Sequence, residues 1–131
     1  CFNIAVDIVE PCGFVWDDKR LRRAGMDYAE KASLTRHPSW NSYQDKQSEE
    51  SGRMLLFTTK AAVPYHTFSF APGDQLVFGR ESAGVPEDVH DAADARLVIP
   101  MASDTRSLNL AQSASIAAAE ALRQLDQWPD P

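Results

Sequence analysis

Several features that define common protein classes are scarce or missing in this chain of 131 residues. Only two cysteines occur, Cys1 and Cys12, which are too few for a disulfide framework and lack metal-ligand spacing. No apolar run approaches the roughly 18 to 20 residues that a membrane-spanning helix needs, and the charged, proline-interrupted start lacks a signal-peptide pattern. We therefore expect a cytosolic protein with reduced thiols, no membrane segment and no bound metal.

Positive charge is also in deficit. Thirteen lysines and arginines stand against 19 aspartates and glutamates, which gives a net charge of −6. This balance argues against purely charge-driven binding of nucleic acid, although a local basic patch can still bind it specifically. The chain has no Gly-x-Ser-x-Gly elbow, so hydrolase chemistry is disfavoured.

Strand and helix patterns alternate along the chain. This alternation predicts one α/β domain over residues 1–131, with a mainly parallel sheet and helices on both faces. Because the sequence enters an apolar strand almost at once, we expect that a preceding strand and helix are missing. Apolar, β-branched runs predict strands at residues 2–11, 31–35, 53–59, 75–79 and 96–101, and helical patterns cover residues 17–24, 39–48, 86–92 and 107–125.

The side chains in the middle of the last predicted helix are unusually small. Alanines at 111, 114, 117, 118, 119 and 121 remove bulk from it, while leucines and Ile116 supply apolar contacts. One interpretation is a good helix former that packs on the sheet. The other is a helix that also packs closely against a partner subunit.

The strongest local motif runs from Leu76 to Pro86, where a strand leads into a loop bounded by Gly79 and Gly84 and then into a helix. Loops at the carboxyl ends of parallel strands are where α/β sheets bind ligands. The motif is neither a Walker A loop nor a dinucleotide fingerprint. Turn chemistry alone would explain the glycines, but Glu81 in the middle of the loop favours a contact with a hydroxyl-bearing or cationic ligand.

A second strand is also followed by a polar loop, at residues 99–110. Ser107 stands where a helix N-cap is expected. Asn109 then falls in the first turn of an apolar helix, where asparagine is a mediocre helix former. That position favours a functional role for its amide.

A third segment, residues 16–25, concentrates positive charge. Residues 19–36 hold six basic and two acidic side chains, a local charge of +4, so the rest of the chain carries −10. Such a run is commonly a solvated helix face, with Asp17 and Asp18 capping the helix. Its segregation in an acidic chain, with aromatic residues nearby, instead suggests a phosphate-contacting patch.

These three segments together resemble the SPOUT methyltransferases, a knotted family of RNA-modifying enzymes. The pattern Phe-Gly-x-Glu-x-x-Gly-x-Pro at 78–86 is similar to the second family motif, and Ile-Pro-Met at 99–101 with Ser-Leu-Asn-Leu at 107–110 is similar to the third. Residues 14–28 resemble a block typical of the enzymes that methylate the wobble nucleotide of tRNA. The resemblance covers essentially the whole chain.

The resemblance implies a C-terminal trefoil knot, an obligate homodimer, S-adenosylmethionine (AdoMet) as cofactor and the anticodon stem-loop of tRNA as partner. The acceptor would be the 2′-hydroxyl of the wobble ribose, cytidine or uridine, and no metal is needed. The implied catalytic residues are Glu81, Ser107 and Asn109. The implied cofactor contacts are Phe57, Thr58, Thr59, Gly79, Glu81, Gly84, Ile99, Pro100, Met101, Ser107, Leu108 and Asn109, and the implied RNA contacts are Lys19, Arg20, Arg22, Arg23, His37, Lys60 and Arg106.

Two departures from the family pattern leave alternatives open. The first family motif, with an arginine often assigned to catalysis, should precede Cys1 and is absent, so the general base stays unassigned. The subfamily commonly has tyrosine immediately before the glutamate that matches Glu120, where this chain has Ala119. A non-catalytic RNA-binding scaffold of the same fold is therefore one alternative. A nucleotide-binding α/β protein unrelated to RNA is another, but it would leave the basic cluster at 19–23 unexplained.

Overall fold

The structure is a computed structural model that describes residues 1–12, 17, 19–20, 23, 31–47 and 52–131. The chain forms two compact units, Cys1–Glu49 with Pro129–Pro131, and Glu50–Trp128. No helix in the described ranges is long and apolar enough to cross a membrane. The predicted helix at 17–24 lies mostly outside the described residues, although Lys19, Arg20 and Arg23 have helical backbone.

The first unit contains two parallel strands, β1 (Val6–Val9) and β2 (Leu34–His37), followed by helix α1 (Trp40–Gln47). Strand β2 ends two residues later than the polar sequence predicts, because His37 is buried and pairs with Val9 in the strand register. Helix α1 begins where expected, since the Ser39 hydroxyl accepts a hydrogen bond from the backbone N–H of Ser42 at 3.1 Å.

The second unit is built on a parallel sheet of four strands: β3 (Met54–Phe57), β4 (Val63–Pro64), β5 (Gln75–Phe78) and β6 (Ala95–Val98). Their spatial order is β4-β6-β3-β5, so the central strand β3 comes first in the chain. The sequence did not predict β4, because two residues that include a proline leave no strand pattern. Proline is acceptable there because β4 is an edge strand. A turn of 3₁₀ helix, Tyr65–Thr67, follows it.

Helices α2 (Glu87–Ala92) and α3 (Leu110–Leu125) contact opposite faces of this sheet. Leu97 and Ala95 of β6 pack in a core cluster with Ala117 of α3. Arg96 lies between them in sequence and so points to the other face. Its guanidinium donates to the backbone carbonyl of His90, in α2, at 2.6 and 3.1 Å. The predicted α/β class with a mainly parallel sheet is therefore confirmed.

One alanine of α3, Ala117, packs in the core of its own unit. Ala117 is fully buried and Ala118 is 9% exposed, because both are covered within the protomer. Leu55, Phe57, Phe70 and Leu97 complete the core against which Ala117 packs. Small side chains on α3 thus allow the helix to approach the sheet closely.

Candidate active site at the carboxyl ends of three strands

The sheet register brings three predicted loops to one edge. Phe57, the last residue of β3, lies opposite Phe78 on β5 and opposite Leu97 on β6. All three strands are parallel, so the segments that follow them leave the sheet at the same level. The structure therefore brings together the loops that begin at Thr58, Gly79 and Ile99, which carry the candidate cofactor residues.

The loop after β5 is closed by its own backbone. The N–H of Arg80 donates to the carbonyl of Gly84 at 3.0 Å, and the N–H of Gly84 donates back at 2.9 Å. A Cβ atom on Gly79 would lie 2.5 Å from the carbonyl carbon of Gly84, which no side chain tolerates. Gly84 itself has φ +66°, where glycine is favoured. Both glycines are therefore required by the shape of this loop.

Glu81 links this loop to the start of α3. Its Oε1 accepts a long hydrogen bond, 3.4 Å, from the backbone N–H of Leu110. Leu110 is the first residue of a helix of 16 residues, whose amino end attracts negative charge. The carboxylate is exposed, and its other oxygen accepts no hydrogen bond from any residue that the structure describes, so it can also contact a ligand.

The expected N-cap of this helix is wrong. Asn109, not Ser107, caps α3: its Oδ1 accepts from the N–H of Ala111 at 2.9 Å and of Gln112 at 3.3 Å. The helix begins at Leu110 because Asn109 keeps an extended backbone, with φ −55° and ψ 141°. Capping explains why an asparagine stands beside an apolar helix. Ser107 is exposed and its hydroxyl forms no hydrogen bond with a described residue.

The groups that the loop after β3 can offer to a ligand are mostly backbone and polar side-chain groups. The Phe57 side chain is 8% exposed and stacks on Phe78 with ring centroids 5.0 Å apart, so it belongs to the core. The Thr58 N–H donates to Leu97 O at 2.9 Å, and the Thr58 hydroxyl accepts from the N–H of Lys60 at 3.3 Å. Thr59 and Lys60 are exposed at the turn.

The loop after β6 leaves the sheet at the same edge and also offers backbone groups to a ligand. The Ile99 side chain packs against the core, while Pro100 is exposed and Met101 half-buried. The Thr105 N–H and hydroxyl both donate to Ala102 O, at 3.0 and 2.7 Å, which turns the chain toward α3. Leu108 remains 36% exposed.

The basic cluster lies in the first unit. Asp17 accepts hydrogen bonds from the backbone N–H groups of Lys19 and Arg20 at 2.9 and 3.3 Å, so it caps a helical turn as expected. The side chains of Lys19, Arg20 and Arg23 are exposed, as a phosphate-contacting patch requires. The predicted contact Arg22 lies outside the described residues.

The structure does not support His37 as an RNA contact. The residue is 3% exposed, and its Nε2 lies 2.6 Å from a carboxylate oxygen of Asp7. Its ring also meets the Tyr43 ring edge-on, with centroids 5.1 Å apart. Burial against a carboxylate and an aromatic ring gives His37 a role in joining β1, β2 and α1.

A polar network on α3 was not predicted from the sequence. Arg123 donates twice to Glu120, at 2.8 Å each, and the Gln124 amide donates to Glu120 at 2.9 Å. These hydrogen bonds, those from Arg123 first, lower the pKa of Glu120 to about 2. The i to i+3 and i to i+4 spacings are visible in the sequence, but they do not reveal that Gln124 also holds another segment. No cluster of metal-ligating side chains occurs within the described ranges.

The segment that forms this sheet and these loops matches a known protein family. Residues 1–119 match the SpoU rRNA Methylase family. The chain belongs to this family, and the predicted relationship is confirmed.

Similar proteins of named function are RNA methyltransferases. A protein of Beijerinckia indica named tRNA (cytidine(34)-2′-O)-methyltransferase is 49% identical over 125 residues, 95% of this chain and 78% of that protein. A solved structure described as structural insights into the 2-OH methylation of C/U34 on tRNA has a TM-score of 0.84 at 35% identity, covering 93% of this chain and 79% of that one. An AdoMet-bound rRNA methyltransferase from Sinorhizobium meliloti has a TM-score of 0.79 at 27% identity, covering 92% and 46%.

The loops at the sheet edge have the chemistry that AdoMet requires. An adenosine needs backbone donors and acceptors and an apolar wall, and the backbones of Met101 and Ser107 form no hydrogen bond with another described residue. Gly79 lets the backbone of its loop close tightly on Gly84, which fixes the loop's shape beside these groups. AdoMet carries a sulfonium cation, and Glu81 places an exposed carboxylate at this edge. The residues present therefore fit this cofactor.

Proposed function

We propose that this protein methylates the 2′-hydroxyl of the wobble ribose of tRNA, at cytidine or uridine 34, with AdoMet as methyl donor. The observation that carries the proposal is the meeting of the two family motifs at one sheet edge, where Glu81 contacts the start of α3. The names of the relatives supply the substrate and the position.

In the proposed site, the Gly79–Gly84 loop and the segments 57–59 and 99–101 hold the cofactor. When bound, AdoMet would supply an electrophilic methyl group to the ribose 2′-oxygen; its methyl–sulfur bond would break to leave a neutral thioether, and the hydroxyl proton would pass to solvent. Glu81, Ser107 and Asn109 are the proposed polar contacts, and their arrangement would supply orientation, which can account for several kcal/mol of a barrier. Because Asn109 uses Oδ1 for capping, its amide nitrogen is the group left for a ligand.

The same proposal includes the finer features of the family fold. We place both compact units in one catalytic domain, with a trefoil knot formed by the chain that runs into α3. We also propose a homodimer, supported by the shallow surface of α3 formed by Ala111, Gln112, Ser115 and Ile116, with Leu110 exposed beside it. Ser115→Arg should therefore shift a dimer toward monomer in light scattering. A parent that is monomeric at micromolar concentration would contradict the dimer.

The function is tested by incubating the protein with AdoMet and unmodified tRNA and then analysing nucleosides of the anticodon by mass spectrometry. We expect one methyl group on the ribose of nucleotide 34 and none when that nucleotide carries a 2′-deoxyribose. Binding of AdoMet without transfer would favour the non-catalytic scaffold. Transfer to a different position would contradict the substrate assignment.

A further inference from the structure

The six basic side chains of the second unit fall into two groups. Arg53, Arg96 and Arg123 are each engaged: Arg53 by Asp74 at 2.6 and 2.8 Å, Arg96 by the carbonyl of His90, and Arg123 by Glu120. Lys60, Arg80 and Arg106 form no side-chain hydrogen bond or ion pair with any residue in the described part of the chain. All three are exposed. The first three side chains stabilise the fold. The charges of Lys60, Arg80 and Arg106 are not neutralised by any described residue.

The three unengaged cations share one location. Lys60 follows β3, Arg80 follows β5 and Arg106 follows β6, so each loop of the candidate site carries one of them. These strands are neighbours, and adjacent strands lie about 5 Å apart, so the loops start within about 10 Å of one another. Lysine and arginine side chains reach several ångströms further. We call Lys60, Arg80 and Arg106 the basic rim.

The acidic groups of these loops do not neutralise the basic rim. Glu81 directs one oxygen to the N–H of Leu110. Asp104 lies two residues before Arg106 but forms no ion pair with it. The second unit, residues 50–128, is acidic as a whole, with 10 carboxylate side chains and 6 lysine or arginine side chains. A focus of positive charge at the candidate site therefore stands out against its surroundings.

We propose that the basic rim binds backbone phosphates of the RNA strand that carries the target ribose, with Arg80 as a contact in addition to Lys60 and Arg106. The inference rests on the proposed function, because it assigns the rim to the substrate of that site. AdoMet has one carboxylate and no phosphate, so the cofactor does not account for three cations. Single-stranded RNA presents a row of phosphates, which cations on neighbouring loops can follow.

Arg80 is the most informative residue because its structural contribution is made by its backbone. The bridge to Gly84 uses only the N–H and carbonyl of Arg80, so glutamine can replace the side chain without breaking it. Lys46→Gln, in the last turn of α1, removes the same charge in the other unit and is the matched control. Asp104→Asn removes a negative charge beside the rim and should act in the opposite direction.

The experiment measures binding of a tRNA anticodon stem-loop by fluorescence anisotropy at several salt concentrations. Each phosphate contact contributes about 0.7 to the slope of log K against log salt for single strands. Arg80→Gln should therefore lower the slope by about 0.7 and weaken binding about fivefold at 0.1 M salt. The triple variant with Lys60 and Arg106 also changed to glutamine should lose about 2 from the slope. Asp104→Asn should tighten binding.

The outcomes separate the rim from the proposed function. If Arg80→Gln and the triple variant bind like Lys46→Gln, with unchanged slope, the basic rim is overturned even when the parent methylates tRNA. If the parent transfers no methyl group while Arg80→Gln loses affinity and slope as expected, the rim stands and the proposed function fails. A parent that binds no RNA overturns the rim.

Discussion

The side-chain amide of Gln124 forms the hydrogen bonds that a neighbouring strand would otherwise give to the backbone at Phe68 and Phe70. Its Oε1 accepts from the Phe70 N–H at 3.0 Å, and its Nε2 donates to the carbonyl of Phe68 at 2.9 Å. One residue on α3 thereby satisfies two backbone groups of the segment that precedes β5. Phe70 is 7% exposed and packs in the core, so water cannot easily replace this partner.

Loss of this amide should destabilise the protein. Gln124→Ala leaves the Phe70 N–H without an acceptor, and an unsatisfied buried group costs about 1 to 3 kcal/mol. Chemical denaturation measures the free energy of unfolding. Gln127→Ala, at an exposed glutamine just after α3, is the matched control and should change it by less than about 0.5 kcal/mol. Equal losses of unfolding free energy at the two positions would contradict a stabilising role for the Gln124 hydrogen bonds.

Stability should depend on Glu120 at acid pH. The folded-state pKa of Glu120 is lowered to about 2 from the usual 4.5, so its contribution is present above pH 4.5 and is lost as the pH falls toward 2. Relative to Glu120→Gln, the parent should lose about 1 kcal/mol of unfolding free energy over this interval, the scale of a partly exposed ion pair. Urea unfolding at a series of pH values gives the difference, and Asp130→Asn controls for loss of one negative charge. If the difference in unfolding free energy between the parent and Glu120→Gln does not change with pH, the lowered pKa of Glu120 does not stabilise the protein.

Asn109 and Ser107 should differ in what they do for the helix. Asn109→Ala removes the cap of α3 and should cost about 1 kcal/mol of stability, while Asn109→Asp should retain most of it. Ser107→Ala should leave the thermal unfolding midpoint nearly unchanged, because its hydroxyl caps nothing in the structure. A lower midpoint for Ser107→Ala than for Asn109→Ala would reverse the assignment of the cap.

The shape of the Gly79–Gly84 loop should control cofactor affinity. Gly79→Ala places a Cβ against the backbone of Gly84, so the loop must shift, and AdoMet binding should weaken at least about tenfold, equivalent to roughly 1.4 kcal/mol of strain. Calorimetry with AdoMet measures this, and Ser82→Ala at the exposed tip of the same loop is the control. Unchanged affinity for Gly79→Ala would place the cofactor elsewhere.

Local pattern predicted most elements of the fold. The strands β3, β5 and β6 and the helices α1, α2 and α3 were predicted within a few residues, because apolar runs and turn residues mark them clearly. Strand β2 was predicted to end too early because His37 reads as polar, and its burial depends on Asp7, 30 residues away. Strand β4 was missed because two residues carry no periodicity.

The candidate site was predictable in outline and not in detail. The glycine loop and the loop before α3 were both identified as ligand loops, and the sheet register brings them together. The sequence predicts the cap at Ser107 and places Asn109 in the first turn of the helix, and only the backbone geometry shows that Asn109 is the cap. The engagement of Arg53 and Arg96 also depends on partners from other segments of the chain, so the sequence could not distinguish these two arginines from the basic rim.

The order of strands has a consequence for ligand-coupled stability. The sheet edge is complete only when β5 and β6 have both paired with β3, which precedes them by about 20 and 40 residues. A ligand held by all three loops therefore binds the finished unit and not a partial one. By mass action, such a ligand at one hundred times its dissociation constant adds about 2.7 kcal/mol to the unfolding free energy. Cofactor supply would thus set the fraction of the second unit that is folded as well as how fast it works.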